Sequence, residues 1–75
     1  MLFRSLTRRE QVALRVYDVT GRLVRSLAGG TLESGSHRVE WNGLDDRGSL
    51  VDPGLYFCRL DVGSASETKR MVFAR

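Results

Sequence analysis

Apolar and polar residues alternate in several short runs along the chain, most clearly in residues 12–17 and 55–62. A period of two residues is typical of a β-strand that buries one of its faces. β-Branched and aromatic residues are frequent in both runs, which also favours strands. In residues 55–62 the buried face is predicted to carry Tyr56, Cys58, Leu60 and Val62.

Weaker alternation and turn residues mark the other elements. We predict further strands at residues 2–6, 23–27, 37–41 and 68–73, a minor strand at 50–51, and a loop at 28–36 with Leu32 turned inward. Short strands at this spacing describe an all-β protein, a small antiparallel β-sandwich of six to seven strands. We expect residues 1–75 to form a single domain.

Two turn regions stand out by their composition. The first is a short hairpin turn at residues 18–21. We expect Asp18 to accept backbone hydrogen bonds in this turn and Gly21 to take the left-handed conformation. Residues 42–54 contain a second concentration of Asn, Asp, Gly and Pro. We expect Asp45 to accept backbone N–H groups there and to fix the loop.

Composition narrows the function classes. Apolar residues make up 41% of the chain, which is typical of a folded domain, and no apolar run is long enough for a membrane helix. The first residues lack the pattern of a secretory signal. The net charge of +3 comes from arginines spread along the chain, so we expect no nucleic-acid partner.

Candidate chemistry is sparse. His37 is the only histidine, and Cys58 is the only cysteine and is predicted to be a buried apolar group. Asp45 and Asp46 could suggest calcium, but turn formation is the simpler role for them. We therefore predict no catalytic residues, no metal site, no cofactor and no enzymatic activity.

Trp41 has two possible roles. It could fill the core on the same strand face as Val39, or it could form a sugar-binding platform with Tyr17 or Phe57. The core role is favoured. An outer sheet face with Phe57 and Arg59 could also stack RNA bases, but no RNA-binding motif accompanies it.

Two segments resemble a known family. Residues 16–24 resemble the hairpin of the immunoglobulin-like domain in flagellar hook-capping proteins, which also marks the C-terminal sorting domains of type IX secretion substrates. Residues 35–56 match a spaced Gly, His, Val, Trp and Asp pattern of both groups. The resemblance implies an immunoglobulin or fibronectin type sandwich, with these structural motif residues: Tyr17, Asp18, Gly21, Arg22, Gly35, Trp41, Gly43, Asp45, Gly48, Gly54 and Tyr56.

The resemblance also implies a role. The ending resembles the basic-hydrophobic-basic close of sorting domains, with Lys69, Arg70 and Arg75 as the expected sorting tail. We expect a secretion and surface-attachment module that export machinery recognises, secreted or at the cell surface as part of a larger protein. The alternatives are a hook-capping type interaction domain of an extracellular assembly and a carbohydrate or surface-adhesion module. The chain is expected to be a monomer, and an excised domain or gene fragment.

Overall fold

A computed structural model describes the backbone of residues 2–74 and the side chains from Leu6 to Ala74. Within residues 2–74 the fold is all-β, without a helix. No helix in this part of the chain could therefore cross a membrane. The strands are β1 (Leu2–Leu6), β2 (Glu10–Tyr17), β3 (Leu23–Leu32), β4 (Gly35–Val39), β5 (Gly54–Val62) and β6 (Ala65–Phe73).

The strands form two antiparallel sheets. The larger has the order β3-β2-β5-β6, and the smaller pairs β1 with β4. β2 and β3 form one hairpin and β5 and β6 another, and the pairing of β2 with β5 joins the two hairpins. The central strands β2 and β5 are therefore paired on both sides, whereas β3 and β6 are the edges of the larger sheet.

Alternation along the central strands places the core. Val12, Leu14 and Val16 of β2 are buried, as are Tyr56, Cys58 and Leu60 of β5. Val39 of the smaller sheet packs against Leu14, Cys58 and Leu60, together with residues from β3, β5 and β6. The core thus lies on one face of the larger sheet, where Val39 of β4 packs against it.

The strand predictions are confirmed for all five principal runs and for the first strand, with shifted ends. The loop predicted at residues 28–36 is wrong except at residues 33–34, because β3 continues to Leu32 and β4 begins at Gly35. Gly29 and Gly30 pair with Ala13 and Val12. Glycine is a weak strand former, but pairing with β2 outweighs that preference here.

Two other boundaries differ from prediction. β4 ends at Val39, opposite Leu2, so Trp41 lies beyond the strand and not within it. The minor strand at 50–51 is reduced to one isolated bridge between Leu44 and Leu50.

Candidate functional site

The β2–β3 hairpin turn is built around the side chain of Asp18. Its Oδ1 atom accepts hydrogen bonds from the Thr20 amide at 2.9 Å, the Thr20 hydroxyl at 2.6 Å and the Arg22 amide at 3.0 Å. The bond from the Thr20 hydroxyl, followed by that from the Arg22 amide, lowers the pKa of Asp18. Gly21 closes the turn with φ of 85°.

Asp45 organises a second turn with the same arrangement. Its Oδ1 accepts the amides of Arg47 and Ser49, each at 2.9 Å, two and four residues ahead, as Asp18 does with Thr20 and Arg22. The backbone bonds also correspond: the Gly48 amide donates to the Asp45 carbonyl and the Asp45 amide to the Ser49 carbonyl. The chain therefore uses the unit Asp-x-x-Gly-x twice.

These hydrogen bonds give Asp18 and Asp45 a structural role in their turns. In each turn one carboxylate oxygen is occupied by backbone donors, as expected for turn-forming Asp. Among the described residues, no group of three or more His, Cys, Asp or Glu side chains could hold a metal ion.

Trp41 lies at the centre of an aromatic cluster. Its ring meets Tyr56 edge-on with centroids 5.0 Å apart, and Phe73 at 5.5 Å in a tilted arrangement. The indole Nε1 donates to the Leu44 carbonyl at 2.9 Å. Tyr56 in turn donates a hydrogen bond from its hydroxyl to the Asp52 carbonyl at 2.5 Å. The cluster therefore connects the loop at residues 42–53 to the larger sheet.

Gly43 is required by this cluster. It is buried and has φ of 81°, and a Cβ atom there would lie 2.3 Å from Cζ of the Phe73 ring. Any side chain would therefore displace Phe73 as well as strain the backbone. Two other motif glycines, Gly35 and Gly54, are the first residues of β4 and β5.

The sugar platform considered from sequence is not assembled. Tyr17 and Phe57 are direct cross-strand partners, but Phe57 follows Tyr56 on the opposite face of β5 from the Trp41 cluster. The same outer face carries Arg15 and Arg59, both ion-paired with Asp61 at 4.0 and 3.0 Å. The bond from Arg59, followed by one from Ser66, lowers the pKa of Asp61.

Cys58 and His37, the only cysteine and the only histidine of the sequence, have different surroundings. Cys58 is 4% exposed, and its burial raises the pKa of the thiol, which suits the predicted apolar role. His37 is engaged through Nε2 with the Glu33 carbonyl at 2.6 Å. Cys58 is therefore accounted for by burial in the core and His37 by its contact with the backbone.

Part of the expected sorting tail is a strand. Lys69 and Arg70 belong to β6 and pair with Cys58 and Phe57, whereas Arg75 lies outside the described residues. Lys69 makes a long ion pair with Glu67 at 3.9 Å and keeps 56% of its side chain exposed. Lys69 and Arg70 are therefore part of the folded sheet and at the same time carry exposed charge.

One contact was not anticipated from sequence. The loop around Asp46 lies along the outer edge of β3: the Asp46 amide donates to the Val24 carbonyl, and its carboxylate accepts the Ser26 amide, both at 3.0 Å. Arg25 donates to the Asp45 carbonyl at 3.0 Å. The sequence shows the acidic pair Asp45-Asp46, but it does not show that this pair binds β3, which lies twenty residues earlier in the chain.

The antiparallel all-β architecture with these turns is consistent with an immunoglobulin-like β domain. Comparison with protein families agrees: the model of the FlgD Ig-like domain matches residues 5–66. The chain belongs to the FlgD Ig-like domain family. Neither a curated protein nor a solved structure matches it significantly.

Proposed function

We propose that the chain is a non-enzymatic protein-interaction domain of hook-capping type, acting in an extracellular assembly. The observation that carries the proposal is the family match over residues 5–66. The described candidates for chemistry also have structural explanations that fit an interaction domain: Cys58 is buried, and the carboxylates of Asp18 and Asp45 hold backbone amides. Such a domain acts through its surface.

The proposal includes the architecture. Residues 1–75 form one domain, a small immunoglobulin-type sandwich in which the β1–β4 pair is the second layer, packed through Val39 on the larger sheet. The domain works as a monomer, outside the cytoplasm, as part of a longer protein. It needs neither a cofactor nor nucleic acid.

Binding to a flagellar hook subunit tests the proposal. The purified domain would be immobilised and exposed to the hook subunit of the source bacterium, with a charge-matched but unrelated immunoglobulin-like domain as control. We expect saturable binding to this domain alone. Equal binding to both domains, or none to either, would contradict the hook-capping role.

A second candidate is the sorting module, which is favoured by one observation. Lys69 and Arg70 are adjacent and exposed on β6, where export machinery could reach them. The matched family segment ends at residue 66, ahead of both. In this reading the domain directs a secreted protein to the cell surface.

A reporter fusion in a bacterium with type IX secretion tests the second candidate. Exchanging Lys69 and Arg70 for serine should abolish export of the reporter, whereas Arg47→Ser in the 45–49 turn should leave it unchanged. Export that survives the double exchange would rule out these two residues as the signal.

A further inference from the structure

The two edges of the larger sheet are protected differently. Along β3, the Asp46 amide donates a hydrogen bond to the Val24 carbonyl, and the Asp46 carboxylate accepts one from the Ser26 amide. Two register shifts interrupt the pairing of β3 with β2, and Gly30 has φ of 97°. Covered and irregular edges of this kind accept another strand poorly.

The opposite edge, β6, has the regular geometry that β3 lacks. All nine residues of Ala65–Phe73 pair with β5 without a register shift, and the strand contains neither proline nor glycine. Among residues 2–74, no strand pairs with its other side. We call that side of β6 the open edge.

The side chains along the open edge give it a chemical character. Arg70 lies on the outer sheet face beside Phe57, and Lys69 lies on the inner side beside Cys58. Val72 is 76% exposed, the most exposed of the large apolar side chains described. Two adjacent cations next to an exposed valine thus mark the C-terminal half of the strand.

We propose that the open edge binds an extended acidic segment of a partner protein, which adds antiparallel to β6 as a fifth strand. This inference rests on the proposed interaction function and names its surface. Main-chain hydrogen bonds would supply most of the affinity, and cross-strand side-chain pairs the selectivity. The segment would carry an apolar residue opposite Val72 and acidic residues opposite Arg70 and Lys69.

Charge disfavours a second copy of this chain in the registers that bring the two cations together. Antiparallel pairing of β6 with itself centred on Lys69 or Arg70 would place Lys69 or Arg70 opposite itself, whereas pairing centred on Thr68 would place Glu67 opposite Lys69. Like charges directly opposite each other destabilise a strand pair. The two cations therefore disfavour those self-paired registers and attract an acidic strand.

The probe is a short synthetic peptide with a valine, a threonine, two glutamates and a threonine in that order, capped at both ends. It would be titrated into the isotopically labelled full chain and followed by amide NMR. We expect shifts and slowed amide exchange in β6, with β3 unaffected. Shifts centred on β3, or none at all, would overturn the proposal.

Charge reversal provides the matched control. Lys69→Glu with Arg70→Glu should weaken peptide binding about tenfold, as the loss of two opposite-charge pairs implies. Arg22→Glu with Arg47→Glu makes the same change in net charge on the two turns and should leave binding within about twofold. Equal weakening by both double variants would reduce the effect to net charge and overturn the proposal.

Two further arms separate other occupants. Concentration-dependent shifts in β6 without peptide would make a second copy the occupant, and equal binding of a single-stranded oligonucleotide would make the edge a general polyanion site; either result overturns the proposal. If the Lys69→Glu, Arg70→Glu double variant binds the hook subunit as the natural chain does, the open-edge proposal is wrong and the hook-capping role is unaffected. Peptide binding without any hook-subunit binding would sink the hook-capping role and leave the open edge standing.

Discussion

At the scale of single residues, the chain relies on a small set of side chains that hold backbone. Asp18 and Asp45 each accept amides two and four residues ahead, and each is followed by a glycine with positive φ. Their function is therefore local order. They position the two turns at one end of the larger sheet, where the loop meets β3.

Asp18 should make stability depend on acid pH. Its folded-state pKa is lowered by the Thr20 and Arg22 bonds, so the unfolded chain binds a proton more readily. The carboxylate thus contributes stability above its unfolded pKa of about 4, and loses that contribution as the pH falls through the lower folded pKa. Melting temperatures from pH 7 to pH 2 should decline less steeply for Asp18→Asn than for the natural chain, and parallel curves would contradict the assignment.

Gly43 and Gly48 allow steric and backbone effects to be separated. Both have φ of 81°, but a Cβ atom at Gly48 would meet nothing within 4 Å, whereas one at Gly43 would collide with Phe73. Gly48→Ala should cost about 1–2 kcal/mol of unfolding free energy from backbone strain, and Gly43→Ala about 1–3 kcal/mol more from overpacking. Urea unfolding measures both, and equal losses would show that Phe73 does not pack on Gly43.

Trp41 is predicted to be structural. Trp41→Ala removes the contacts with Tyr56 and Phe73 and should lower the unfolding free energy by about 3 kcal/mol. Trp41→Phe keeps a ring in place and loses mainly the bond to the Leu44 carbonyl, at a cost of about 1 kcal/mol. An alanine variant with an unchanged melting temperature would favour a ligand-binding role instead.

At the scale of elements, β6 combines packing and surface. Its Met71 packs against the core and its Phe73 against Trp41, while Lys69 and Arg70 remain exposed. Deleting residues 69–75 would therefore remove packed side chains, and its effect on recognition could not be separated from its effect on folding.

Removing residues 69–75 should unfold the domain. The deletion takes away five of the nine residues that pair with β5, including those opposite Gly54 through Cys58. The double exchange of Lys69 and Arg70 for serine keeps the strand and should melt within a few degrees of the natural chain. Circular dichroism compares the two, and a cooperatively folded deletion variant would show that the second half of β6 is dispensable.

At the scale of the whole molecule, local pattern predicted more of the fold than of the site. Residues 12–17 and 55–62 were recognisable because one face of each strand is buried, which imposes a period of two. The continuation of β3 through Gly29 and Gly30 was not, because their pairing with β2 is a tertiary effect that overrides weak local preference.

The surface was predicted least. Asp45 could be read as a turn former from its neighbours, but its approach with Asp46 to β3 joins segments twenty residues apart. The partners of Trp41 could not be read either, since Tyr56 and Phe73 come from different strands. Which edge of the sheet is covered follows only from the assembled fold.

Amide hydrogen exchange of the natural chain, followed residue by residue by NMR, tests the account most directly. The central strands should be the most protected, the Ser26 amide on β3 should be protected by the Asp46 carboxylate, and alternate amides of β6 should exchange rapidly. Fast exchange at Ser26 together with uniform protection along β6 would contradict the account, because it would place the open edge of the sheet on the other side.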